Sequence, residues 1–289
     1  MLAIIINYYS PVAWSRPVDN YKQAIASIRR QVPRESLFLV ELHFDRDEPI
    51  DPDAKFIRGQ SCHQYLWQKE TIFNAVCRQL PPHYDKFLML DADILFDDDD
   101  WYQRFSDSLD VYDYSQPFSH CSWLDRHGEV AHTKLSCALA PTWPSFGRYH
   151  PGFGIGLTRK AFEVTDGVAW RSISGANDCL IPWSFFPGGQ RDPHRMNARA
   201  GEMPAVYAYR EAIQSAGLTL GFSVGSVRHL WHGDRDNRQY HSRHVLLNKV
   251  GYKVSDVRVD ENGLFAWVDD NCPAKRAMRK YFYRRKEDG

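Results

Sequence analysis

Several things are missing from this 289-residue chain. Apolar runs such as residues 2–6 and 87–90 fall far short of the roughly 18 residues that cross a bilayer, so neither a transmembrane helix nor a membrane partner is expected. No basic leader with an Ala-x-Ala cleavage signal precedes the first apolar run, which leads to the expectation of a cytoplasmic protein. Cys62, Cys77, Cys121, Cys137, Cys179 and Cys272 form no C-x-x-C pair. That spacing speaks against a zinc ribbon or a dense disulfide scaffold, and reduced thiols are expected. Charge of one sign is not in excess, 36 Lys and Arg facing 36 Asp and Glu, which removes the simplest argument for a nucleic-acid binder. With 18 Gly and 16 Pro the chain also lacks the composition of collagen or of low-complexity disorder.

What is present is a large core and an uneven charge map. A 33.6 kDa chain with 43% hydrophobic residues should fold to a surface of about 12,700 Å², against roughly 48,700 Å² when extended. Ten Asp lie between Asp85 and Asp113 against only Lys86 and Arg104, whereas seven Lys or Arg lie between Lys275 and Asp288 against Glu287 and Asp288.

Residues 2–7 form an apolar run closing in a polar turn. Residues 19–30 then carry Tyr21, Ile25 and Ile28 at helical spacing, and 37–44 form a second apolar run. Residues 64–80 read as a helix stopped by Pro81 and Pro82, and 86–96 as the next strand. This alternation predicts an α/β fold with a largely parallel sheet flanked by helices, whose ligands gather at the carboxyl ends of the strands. Beyond residue 115 the chain turns to short apolar pieces rich in aromatics, Gly and Pro, with one more helix predicted at 203–216 and one more strand at 218–227. A single domain, 1–289, is expected, with a nucleotide-type half (1–115), an aromatic-rich acceptor-type half (116–270) and a basic C-terminal tail (271–289).

The strongest chemical signal is Asp91-Ala92-Asp93, two carboxylates interrupting an apolar strand. Residues i and i+2 of an extended segment share a face about 6.5 Å apart, which suits two carboxylates converging on a hard divalent cation able to bridge a diphosphate. The bland alternative is a solvated strand-end pair held by Arg or backbone N–H groups. For the four consecutive Asp at 97–100, helix capping in solvent is the preferred reading over metal ligation.

Asp91-Ala92-Asp93 after an apolar strand resembles the DxD motif of GT-A-fold (Rossmann-like) glycosyltransferases. Four neighbouring segments resemble, in order, a subgroup common in phages, large viruses and bacteria. They are Trp67-Gln68-Lys69-Glu70 with Asn74; His150-Pro151-Gly152-Phe153; Gly175-Ala176-Asn177-Asp178; and His229-Leu230-Trp231-His232-Gly233 with Arg238, Tyr240 and Arg243. The subgroup often has His after the Asp of the third segment, where this chain has Cys179. The resemblance implies a metal-dependent enzyme moving a sugar from a nucleoside diphosphate sugar to a hydroxyl, with inversion. It further implies a late His ligand for Mn²⁺ or Mg²⁺ beside Asp91 and Asp93, and His229 and His232 are both candidates.

Asp178 is the candidate general base, since inversion needs a carboxylate to take the acceptor hydroxyl's proton; a turn or helix cap is its bland alternative. Asn7, Tyr8 and Tyr9 follow the first strand, where a nucleobase or ribose is expected. Together with Lys69, Asp91, Arg238 and Arg243 they are the candidate donor contacts. His150, Gly152, Phe153 and Trp231 are the candidate acceptor contacts, and Trp123, Trp143 and Trp183 share their half of the chain. The acceptor is expected to be a hydroxymethylated pyrimidine in DNA, with the basic tail lying on phosphates, or else a glycan. Two other readings compete: a nucleotidyltransferase or pyrophosphorylase, which normally carries a Gly-rich phosphate loop that Asn7-Tyr8-Tyr9-Ser10-Pro11 is not, and a non-catalytic glycan- or nucleic-acid-binding protein.

Overall fold

The computed structural model describes residues 1–60, 63–142, 147–168, 172–186, 200–234, 237 and 242–289. Its first strand, β1 (Leu2–Tyr9), is buried almost throughout because both of its faces are covered. Leu2, Ile4, Ile6 and Tyr8 pack with Tyr21, Ile25 and Ile28 of α1 (Ser15–Ile28), and Ala3 and Ile5 pack on the opposite face with Phe73 and Cys77 of α2 (Lys69–Gln79). The two-residue period of the strand thus feeds two separate hydrophobic layers. On either side of β1 lie β2 (Leu37–His43) and β4 (Lys86–Leu90), both parallel to it, and β3 (Lys55–Arg58) extends the sheet beyond β2, also in parallel.

The large sheet has the order β11-β6-β10-β4-β1-β2-β3, adding β6 (Tyr114–Gln116), β10 (Gly154–Thr158) and β11 (Leu220–Phe222) from the second half of the chain. β10 is the antiparallel member, paired to β4 and β6. A second, five-stranded sheet runs β5-β12-β7-β8-β9. It is built from β5 (Ile94–Phe96), β7 (His120–Leu124), β8 (Val130–Ser136), β9 (Tyr149–His150) and β12 (Ser226–His229). Helices α3 (Trp101–Val111), α4 (Arg159–Thr165), α5 (Asn177–Trp183), α6 (Met203–Ser215), α7 (Ser242–Lys249) and α8 (Pro273–Tyr283) and the short hairpin of β13 (Val257–Val259) with β14 (Phe265–Trp267) complete the elements. No helix among the described residues is long and apolar enough to cross a membrane.

Two predicted strands are each divided between the sheets. The expected strand at 86–96 breaks at Asp91–Asp93, so that β4 ends in the large sheet and β5 begins in the small one. Likewise the expected strand at 218–227 splits into β11 and β12, with Gly225 in the left-handed region (φ 147°) between them. Apolar periodicity alone does not register such a transfer, because residues on both sides of it are buried. The predicted helix at 64–80 begins only at Lys69, since Gln68 is drawn out of the helix to clamp β14: its Nε2 donates to the Phe265 carbonyl and its Oε1 accepts the Phe265 N–H, each at 2.8 Å.

Candidate active site

The break between the sheets sets the site. Asp91 and Asp93 do not share one face of a continuous strand as the sequence suggested; they occupy a turn, and their side chains have different partners. Asp91 pairs with the Lys69 ammonium at the start of α2. Asp93 lies with its Oδ2 3.4 Å from His229 Nε2 and 3.1 Å from His232 Nε2. Strand pairing brings these groups together: β12 runs antiparallel to β5 with His229 opposite Ile94, and the Leu230 N–H donates to the Asp93 carbonyl at 2.9 Å. One ligand atom from each of Asp93, His229 and His232 falls within 4.8 Å of the others.

A cavity opens over these residues, lined by the end of β1 (Asn7, Tyr8, Tyr9), by Trp67, Lys69, Asp91 and Asp93, by His229 and His232, and by Phe282, Arg285 and Glu287 from the C-terminal segment. Among the candidates, Asn7 joins β1 to α2 by donating its Nδ2 to the Lys69 carbonyl at 3.1 Å. Tyr8 is largely a core residue, its ring packed on Tyr21 and His43 at 5.2 and 5.6 Å. Tyr9 stands edge-on to Trp67, with ring centroids 5.7 Å apart. Arg243 does not line the cavity. It is buried, and its Nη1 donates to the Tyr281 hydroxyl at 3.4 Å. Arg238 falls outside the described residues.

Electrostatics at the cavity floor are crowded. Burial raises the Asp91 carboxyl above the usual carboxylate range; Lys69 opposes this, while the nearby Asp93 and Asp178 charges add to it. Burial works against the Lys69 ammonium too, but Asp91, Glu70 and Asp178 outweigh it and the lysine is held above its ordinary value. Glu70, 4% exposed, is pushed up to about 7 by burial. In the C-terminal wall, burial pushes the Tyr281 phenol upward, yet Arg285 and Arg243 prevail and hold it below the ordinary phenol value.

The predicted acceptor loop adjoins the carboxylates. The Phe153 carbonyl accepts the Asp91 N–H at 2.9 Å, and Phe153 stands at φ 76°, unusual for a residue with a β-carbon. Its ring stacks on His229 (4.8 Å, 17°) and packs against Trp123 and His150 at 4.7 and 4.2 Å. Gly152 leaves room for Asp178: a β-carbon there would come within 2.9 Å of both Asp178 Oδ2 and His150 Nε2. Asp178 is not the cap of α5, a position held by Ala176, and its Oδ1 accepts the N–H of Cys179 at 3.1 Å. Trp231 faces elsewhere, under the Arg16 guanidinium at 5.5 Å. Trp183 is buried and carries Arg210 over its ring at 4.1 Å, and Trp143 falls outside the described residues. Asp97, Asp98 and Asp100 pair with Arg228 or Arg104, in keeping with the solvent-side reading of that acidic run.

Sequence reasoning did not find Arg285 and Glu287. Both lie in the segment read as a basic tail, and only the return of the chain after α8 brings them to the cavity. The two acids that close a run of cations, Glu287 and Asp288, were the available signal.

No protein-family model and no curated protein matches the chain. Among solved structures it is similar to the catalytic domain of Drosophila β1,4-galactosyltransferase 7 in complex with xylobiose, with 11% identity over 90% of this chain and 84% of that one and a TM-score of 0.42. It is also similar to 4-diphosphocytidyl-2C-methyl-D-erythritol synthase from Anaerococcus prevotii DSM 20548 (10% identity, 78% of this chain, 86% of that one, TM-score 0.36). Mouse xyloside xylosyltransferase 1 in its apo form is a third such structure (11% identity, 81% of this chain, 98% of that one, TM-score 0.34). Likeness this slight assigns the chain to no family, and its reaction has to be read from the site.

Proposed function

We propose that the chain is a metal-dependent glycosyltransferase of GT-A architecture, moving a sugar from a nucleoside diphosphate sugar to an acceptor hydroxyl with inversion. The observation that carries this reading is the meeting of Asp93, His229 and His232 on the floor of a cavity whose walls also hold Lys69 and Arg285. One carboxylate and two imidazoles are a donor set that suits Mn²⁺ better than Mg²⁺ or Ca²⁺, and Asp91 adds a second carboxylate alongside. A divalent cation bound there supplies charge neutralisation for a departing diphosphate.

The remaining steps fall to the chain's own side chains. Lys69 and Arg285 offer N–H donors to the diphosphate oxygens, where charge develops as the glycosidic bond breaks. Asp178 takes the proton of the acceptor hydroxyl; its place against Gly152, beside the His150 and Phe153 rings, supports this role. Phe153, Trp123 and His150 give the acceptor a flat aromatic bed suited to a sugar ring or a base. A cytoplasmic setting belongs to the same reading.

For the acceptor, the proposal favours hydroxymethylated pyrimidines in DNA over a glycan. Its support is α8, whose apolar face (Ala274, Ala277, Met278, Tyr281, Phe282) is buried while Arg276, Arg279, Lys280 and Arg284 line an outer groove with Tyr283. Three cations on one helix face and a fourth, Arg284, at its C-cap match a phosphate backbone, and their contacts would make binding fall steeply with salt. Incubation of the protein with Mn²⁺, a panel of nucleotide sugars and hydroxymethylated DNA tests the whole reading. Release of a nucleoside diphosphate together with sugar-bearing DNA is expected. Release of pyrophosphate instead would indicate nucleotidyl transfer, and transfer to a glycan alone would remove the DNA assignment.

A further inference from the structure

His232 is bracketed by two carboxylates. Its ring is 7% exposed, with Nε2 3.1 Å from Asp93 Oδ2 and Nδ1 3.8 Å from Glu287 Oε1. Glu287 reaches this position because the chain doubles back after α8. Lys286 takes a left-handed conformation (φ 45°), and Arg285 Nε donates to Glu287 Oε1 at 2.6 Å. Arg285 is itself fixed, donating Nη1 to the Tyr281 hydroxyl at 2.8 Å and lying over the Trp67 ring at 5.4 Å. Beyond the turn, Asp288 accepts the N–H groups of Ser15 and Arg16 at 3.1 and 2.7 Å, which ties the segment to the start of α1. Gly233, one residue after His232, packs so closely on the Lys286 carbonyl that a β-carbon there would come to 2.7 Å.

We infer that Glu287 is a positioning residue for His232, held in place by Arg285. Burying an ion pair costs stability unless the ions are well satisfied, and Arg285 and Glu287 are 6% and 8% exposed. A structural pair needs no imidazole beside it, whereas this carboxylate faces the one ring nitrogen of His232 that points away from Asp93. An approach of about 1 Å closes the gap to hydrogen-bond length. Glu287 then accepts the Nδ1–H, which fixes the tautomer and leaves the Nε2 lone pair directed at the Asp93 side, where the divalent cation is proposed. The C-terminal segment thereby completes the metal site and does more than close the cavity. The inference rests on the metal reading given above.

Mn²⁺ binding to the full chain, followed by the electron paramagnetic resonance signal of the free ion, separates the two ideas. Wild type is expected to bind and His229→Ala to lose binding. Glu287→Gln is expected to weaken affinity by about 10- to 100-fold, with Glu287→Asp recovering part of it. Asp288→Asn serves as the structural control: it loosens the same segment, and its melting temperature should fall with Mn²⁺ affinity unchanged. Circular dichroism confirms the fold of each variant, and Glu287→Asp carries the test if Glu287→Gln does not fold. Wild-type affinity in both Glu287 variants, with loss in His229→Ala, overturns the positioning role and leaves the metal reading intact. No Mn²⁺ binding by wild type overturns both.

Discussion

Lys69 is salt-bridged to Asp91, while Asp93, two residues on, faces His229 and His232. The two acids of one short motif are therefore divided between a cation supplied by the chain and a cluster suited to a cation from solution. A consequence follows for Lys69. Its ammonium is retained at neutral pH, and in the proposed reaction it is available to the diphosphate once a divalent ion satisfies Asp91. Lys69→Met should lower kcat/KM by about 100-fold, the scale on which loss of one charge-stabilising donor is felt. Steady-state kinetics checks this, and a change below threefold would remove Lys69 from the chemistry.

Asp178→Asn should separate proton transfer from metal binding. A positioned general base contributes about 10²- to 10⁴-fold, so kcat should fall within that range while Mn²⁺ affinity stays at the wild-type value. Single-turnover rates measured with saturating donor read this directly. Loss of metal affinity in the same variant would place Asp178 in the metal shell instead.

Gly152→Ala is a narrower probe of the same region. The new methyl would lie 2.9 Å from both Asp178 Oδ2 and His150 Nε2, so at least one of these side chains must move. Acceptor KM should rise and kcat should fall, with the melting temperature changed by only a few degrees. Unaltered kinetics would show that neither group has a fixed place in turnover.

Glu70 sets a pH dependence of stability. Its carboxyl titrates near 7 in the folded protein against an ordinary value of 4.5, so between those values the native state binds more protons than the unfolded state. Stability from this group is complete below about pH 4.5 and is lost as pH rises through 7, a change of about 3 kcal/mol at 1.36 kcal/mol per unit. Glu70→Gln should therefore melt higher than wild type at pH 8, with the advantage gone at pH 4. Parallel melting curves across that range would contradict the assignment.

The parts of this architecture that follow from local pattern were legible in the sequence. β1, α1 and β2 match the predicted strand, helix and strand to within a few residues, because a doubly covered parallel strand reads as one apolar run and an amphipathic helix as a 3.6-residue period. Asp93, His229 and His232 were also legible as residue types, since paired acids and imidazoles beside apolar strands have few uses. Their meeting followed from the family resemblance and not from local pattern, because it depends on β4 and β5 belonging to different sheets and on β12 pairing with β5. Arg285 and Glu287 were hidden for a related reason: a left-handed residue at 286 reverses the chain, and no periodicity announces a single such turn.

Crystals soaked with Mn²⁺ and a nucleoside diphosphate sugar, with diffraction recorded at the manganese absorption edge, test the metal centre most directly. A single anomalous peak within coordination distance of Asp93, His229 and His232, in contact with the donor diphosphate, is the expected result. A peak elsewhere, or donor bound in the cavity with no peak at those three side chains, would contradict it.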